Sequence, residues 1–158
     1  MRTTFLTLGI VAVVIVALGG AVAMAQQQDG LATLSPDQLK WVDGPPTIPG
    51  SKAAVISGNP AGAGLFTMRL FLPAGSRVAP HIHGAVEHLT VMFGTFNIGH
   101  GQKFDIEKLK GLPAGSFVVI PQGHPHFVLV REATMVQLHG QGPWTITYVD
   151  PTDDPTKK

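Results

Sequence analysis

Residues 75–94 read GSRVAPHIHGAVEHLTVMFG, and residues 115–130 read GSFVVIPQGHPHFVLV. The first stretch carries His81, His83 and Glu87; the second carries His126. His81 and His83 are two apart, so on an extended strand both side chains leave the same face. Glu87 follows past Gly84 and Ala85, which let the chain bend and return. His126 is distant in sequence and has to arrive on a neighbouring strand. Three imidazoles and one carboxylate on one face suit a first-row divalent metal with coordination positions left open. Taken alone, the His-x-His pair equally describes strand histidines facing water, and Glu87 a surface carboxylate. The apolar company of Glu87 (Ala85, Val86, Leu89, Val91) argues for burial, and a buried carboxylate needs a cationic partner.

The two stretches also share a lead-in. Leu72-Pro73-Ala74-Gly75-Ser76 recurs as Leu112-Pro113-Ala114-Gly115-Ser116, each time before a β-branched strand and then histidines. A repeated Pro-Ala-Gly turn feeding a strand suggests two similar hairpin halves packed face to face.

These residues resemble the two motifs of the cupin superfamily. The first motif, G(x)5HxH(x)3E(x)6G, is met at Gly75, His81, His83, Glu87 and Gly94. The second, G(x)5PxG(x)2H(x)3N, is met at Gly115, Pro121, Gly123 and His126, with Val130 where the family often carries Asn. Nine positions in order over a little over a third of the chain make the resemblance specific. It implies a small bacterial single-domain antiparallel β-barrel of jelly-roll type, with His81, His83, Glu87 and His126 as ligands of one metal. The Asn is not a ligand in the family, so its replacement bears on a pocket or turn contact and leaves the metal set intact. The resemblance implies no single reaction, because this fold hosts oxygenase, isomerase and lyase chemistries alike.

Composition agrees with an all-β chain of one domain. Among 158 residues only 13% are charged, while Gly and Pro number 19 and 13. Short strands joined by many turns account for that pairing better than helices do. There is no cysteine, so neither a disulfide nor a lipid-modified cysteine plays a part. Without residues 1–25 the chain keeps ten Lys plus Arg against ten Asp plus Glu. Such a balance, with scattered charges, gives no case for nucleic acid or an anionic membrane surface.

In order, residues 1–25 read as a secretory signal peptide: Arg2, an apolar run from Phe5 to Val22, then Ala23-Met24-Ala25 with cleavage before Gln26. The other reading is an uncleaved anchor, the one way this chain would engage a membrane. Both place the remainder outside the cytoplasm, in the periplasm or secreted. Residues 26–40 form a leader with one helical turn, signalled by Ser35-Pro36-Asp37-Gln38. Residues 41–150 hold the barrel. Its expected strands are 53–57, 65–72, 77–83, 87–93, 95–99, 116–120, 126–130, 134–139 and 144–149, with a second helical turn capped by Asp105. Glu87, Leu89, Val91 and Phe93 are expected to point inward together, as are His126, Val128 and Val130. Phe66, Met68, Phe71, Phe117 and Phe127 are expected in the core. Residues 151–158 are read as a loose tail.

Beyond the four ligands, Gln137 and His139 are the catalytic candidates. They alternate with Val136 and Leu138, so one pair faces the barrel and the other faces water. Inward, Gln137 would orient a ligand and His139 would shuttle protons. Arg69 is the sole charge on its strand and would suit a substrate carboxylate, although solvent is the commoner place for an Arg. His88 and His100 read as surface residues, and His124 as a neighbour of the ligand His126. The leading functional expectation is an exported metal-dependent enzyme, dioxygenase-like, acting on a small organic molecule in an apolar pocket. The metal would be Fe, Mn, Ni, Cu or Zn. The alternative is a non-catalytic or sensor-type module that binds metal and a small ligand, and a third is a barrel without metal. A homodimer through an edge at Trp41-Val42 or at residues 144–149 is a further expectation.

Overall fold

The computed structural model describes residues 31–157; the apolar N-terminal run and its cleavage point lie outside them. Among the described residues no helix is long and apolar enough to cross a membrane. Eleven strands form here: β1 Val42–Asp43, β2 Lys52–Ser57, β3 Gly64–Leu72, β4 Arg77–Ile82, β5 Glu87–Phe93, β6 Thr95–His100, β7 Lys110–Pro113, β8 Phe117–Ile120, β9 His126–Leu129, β10 Thr134–Gly142 and β11 Thr147–Tyr148. All pair antiparallel. One sheet runs β1-β2-β3-β10-β5-β8 and the other β11-β4-β9-β6-β7, which makes the all-β jelly roll expected from the strand pattern.

β3 shows why the sheets close on each other. Phe66, Met68, Leu70 and Leu72 are buried on one face, while Thr67, Arg69 and Phe71 take the other. Leu89 and Val91 of β5, Val136 and Leu138 of β10, and Val78, Phe96 and Val128 of the second sheet meet them between the layers. Each such side chain contributes about 1.5–3 kcal/mol on leaving water. Burial of this apolar alternation holds the two layers together.

The echoed pentapeptides become matching turns. Ser76 N–H donates to Pro73 O at 3.1 Å and Ser116 N–H to Pro113 O at 3.0 Å, with Gly75 and Gly115 at φ 86° and 87°. A positive φ at the third residue is the type II geometry that needs Gly there. Each turn then docks on a strand beside it. Gly75 N–H donates to Val130 O and Gly115 N–H to Val91 O, both at 2.8 Å, and Val130 and Val91 return bonds of 2.9 Å to Ser76 O and Ser116 O. The turns do not close hairpins, which corrects that expectation. One carries the chain from the first sheet to the second and the other carries it back. Val130 is wholly buried and ties the first turn through its backbone alone.

Other departures have local causes. Phe93 is 56% exposed because β5 and β10 slip register: Val91 faces Val136, yet Phe93 faces Met135. The slip turns Phe93 outward. Phe117 is 55% exposed on the edge strand β8, its outer face reaching only the ring of His88 at 5.9 Å. Phe71 shares the outer face of β3 with Arg69 and is half-buried. Phe127 is fully buried, but on the far side of its sheet, against Phe104 at 5.0 Å. Arg77 lies 4.1 Å over the Phe104 ring and closes that outer cluster. The expected strand at 144–149 shrinks to Thr147–Tyr148. The tail is not loose throughout: Asp150 and Asp154 accept from the backbone N–H groups of Thr152 and Thr156, heading two short 3-10 turns.

Candidate metal centre

His81 and His126 stand directly opposite each other on the paired strands β4 and β9. Their inward aim depends on a bulge. Val78 pairs with Val128 and His81 with His126, so β4 spends one residue more than β9 over the same span. The extra residue falls at Ala79-Pro80, where Pro has no N–H to offer a ladder. Strict alternation would have put Val78 and His81 on opposite faces; the bulge buries both. His83 follows just beyond β4, and Glu87 opens β5 in the facing sheet. The three histidines therefore come from one layer and the carboxylate from the other.

One ring nitrogen from each of His81, His83 and His126 lies within 4.8 Å of the others. Their Nδ1 atoms are all committed: to Ala79 O at 2.8 Å, Thr145 O at 2.7 Å and His124 O at 3.1 Å. A carbonyl only accepts, so each Nδ1 carries a proton and Nε2 is the nitrogen left to face the cavity. Burial, reinforced by the neighbouring histidines, holds His81 down at about pKa 2. Burial likewise holds His126 at about 4, against an upward pull from its bond to His124. Both rings are thus neutral near pH 7, the form a metal binds.

Glu87 is buried with its Oε2 3.0 Å from His83 Nε2. Two donors in adjacent positions on a metal at about 2.1 Å stand about 3 Å apart, so this spacing suits shared ligation. The same Oε2 accepts a 2.7 Å hydrogen bond from the Trp144 indole N–H. Trp144 also stacks on His83 at 5.5 Å, and the next residue, Thr145, holds His83 Nδ1. Residues 144–145 thus orient both His83 and Glu87. Sequence reading had placed Trp144 on an edge strand; an indole N–H beside a Pro turn was the only available signal. Trp144→Phe keeps the ring and loses the donor. A roughly 10–100-fold weaker metal affinity is expected, read by competition with a chromophoric chelator. Unchanged affinity would remove Trp144 from the account.

The histidines and Glu87 line an interior cavity of about 30 Å³, walled otherwise by Trp144 and aliphatic side chains such as Leu70, Leu89, Ile120, Val136 and Leu138. That is room for an ion and a water or so, well short of a drug-sized pocket. The donors fit a divalent transition metal in number, chemical type and spacing.

Gln137 and His139 are not brought to this cavity. Val136 and Leu138 occupy the inner face of β10, which turns both polar residues outward. There Gln137 Oε1 accepts from Arg69 Nε–H at 3.1 Å, and His139 faces His88 across the ladder with ring centres 5.1 Å apart. His100 and His124 stack at 5.9 Å outside the cluster.

No protein-family model matches the chain, and no curated protein matches it. Solved structures do. The polyketide cyclase RemF from Streptomyces resistomycificus superposes with a TM-score of 0.63 at 17% identity, over 81% of this chain and 92% of its own. An acetylacetone dioxygenase from Acinetobacter johnsonii gives 0.59 at 18%, over 79% and 80%. An RmlC-like cupin from Shewanella frigidimarina NCIMB 400 gives 0.55 at 16%, over 71% and 91%.

Proposed function

The chain has the fold of the cupin superfamily, and on that footing we propose that it is an exported mononuclear metal protein whose His81, His83, Glu87 and His126 hold one divalent transition metal for oxygenase-type chemistry on a small organic molecule. The observation that carries the reading is the set of three Nδ1-pinned imidazoles closed by a buried carboxylate. When bound, such a metal supplies open coordination positions, Lewis acidity and, for the redox-active ions, electrons.

The chain's own residues do the rest. Ala79, Thr145 and His124 hold the ring tautomers through their carbonyls, and Trp144 holds the carboxylate. The aliphatic walls exclude water. Apart from the four proposed ligands, the cavity lining offers no carboxylate, histidine, lysine or tyrosine to move a proton. A cavity with no such group beside the metal favours chemistry carried by the metal itself, which is why oxygenase-type chemistry is preferred. The same lining supports the second reading, a metal-loaded binding or sensor module. The dioxygenase and the cyclase among the similar structures agree with a small-molecule ligand for either. Export rests on the reading of residues 1–25.

The test is metal content of protein beginning at Gln26, purified without chelator. About one Fe, Mn, Ni, Cu or Zn per chain is expected. Iron with substrate-dependent oxygen uptake supports the enzyme; tightly held zinc without turnover supports the binding module. No metal under any loading condition would overturn both.

A further inference from the structure

We propose that the cleft between β8 and the β6–β7 edge is the seat of a small organic monocarboxylate with an apolar body. The inference deepens the metal-site reading and rests on it for what happens at the inner end. The cleft measures about 230 Å³ and is lined by Ile98 and Val118 on its apolar side and by Lys108 and Lys110 on its cationic side, with the imidazoles of His100 and His124 also facing it. Ile120 and His126 also line it, and these two line the interior cavity as well. They form a common wall between the cleft and the candidate metal centre.

The location follows from the topology. β8 ends the first sheet and β7 ends the second, so the layers are not hydrogen-bonded to each other along this side. Ile98 and Val118 pack partly against the core and keep their remaining surface toward the cleft. Lys108 closes the 3-10 turn Ile106–Lys108, and Lys110 opens β7. Lys108 meets Asp105 at 3.4 Å, while Lys110 has no ion-pair partner among the described residues. Among the described residues no carboxylate lines the cleft. An apolar strip beside two ammonium groups matches a molecule with one anionic head and a flat or aliphatic body.

The size argument points the same way. An interior of about 30 Å³ beside the histidines cannot take an organic molecule whole, so the body has to lie outside with its reacting end at a wall of the centre. The larger groove of about 700 Å³ near His88 and His139 is lined by no Lys, Arg, Asp or Glu among the described residues and shares no lining residue with the interior. The basic cleft shares two.

The experiment uses the protein from Gln26 onward with benzoate as probe and benzamide, its uncharged counterpart, as control. Binding is followed by backbone NMR shifts and titration, with metal content measured on the same samples. Benzoate is expected to shift the signals of Ile98, Val118 and Lys110. Benzamide and the Lys108→Gln/Lys110→Gln variant are each expected to weaken binding about 10-fold, the variant with its metal content unchanged. The proposal is overturned if benzoate fails to bind at about 10 mM, if its shifts fall elsewhere, or if benzamide binds as well. Benzoate binding at the lysines in protein that takes up no metal would uphold the cleft while the metal reading fails.

Discussion

His126→Ala is expected to strip the protein of its metal, whereas His124→Ala two residues away leaves it bound. Structural divalent sites with four protein ligands are worth about 10–16 kcal/mol, so one ligand carries about 3–4 kcal/mol, or two to three decades of affinity. His124 holds the His126 ring through its backbone carbonyl, which survives the change to Ala. The pair therefore separates ligation from general disturbance of β9, and metal analysis with thermal melting reads both. Equal retention in the two variants would end the metal assignment.

The same centre fixes the response to acid. His81 and His126 titrate at about 2 and about 4 when folded, against about 6.5 unfolded. Between those values the unfolded chain binds more protons, so stability increases with pH across the window and falls as pH drops below about 6.5. Above it these two residues add nothing to the pH dependence. Proton competition for the imidazoles removes the metal in the same direction. Melting of metal-free protein at pH 7 and pH 5 should show the decline, and His81→Ala should flatten it.

The second large effect is structural. Phe127→Ala is expected to cost about 3–5 kcal/mol, since its ring is wholly buried between the second sheet and Phe104. Gly99, paired directly across from Phe127, leaves the space for that ring: a Cβ there would come within 2.3 Å of it. Gly99→Ala alone should therefore cost about 1–3 kcal/mol by overpacking. Combined with Phe127→Ala it should cost far less than the sum, because the clash has gone. Denaturant melts of the four proteins measure the coupling; strict additivity would contradict the packing described.

Much of this was legible from spacing alone. The period-two pattern of β3 placed Phe66, Met68, Leu70 and Leu72 in the core, and the His-x-His pair with Glu87 and His126 marked the residues that now converge. The signals in β3 and at His81, His83 and Glu87 are local, carried by residues a few positions apart, while His126 is marked by the second motif. Phe93, Phe117 and Phe71 escaped because hydrophobicity names a residue for burial without saying which face its strand turns inward. Phe93 is turned outward by a register slip between its own strand and β10, and Phe117 and Phe71 by the outer faces they share with His88 and Arg69.

The sequence by itself determined the all-β class, the repeated Pro-Ala-Gly turns and the identity of the four candidate ligands. Each of these follows from a residue's own chemistry or from neighbours a few positions away. Tertiary structure alone decided that the bulge at Ala79-Pro80 turns Val78 and His81 to the same side, and that Gln137 and His139 leave the cavity to Val136 and Leu138. It also decided that Trp144 reaches Glu87 across 57 positions of chain. Those outcomes depend on which strands pair, in what register and over which layer, and pairing between distant segments is set by the closing of the whole core.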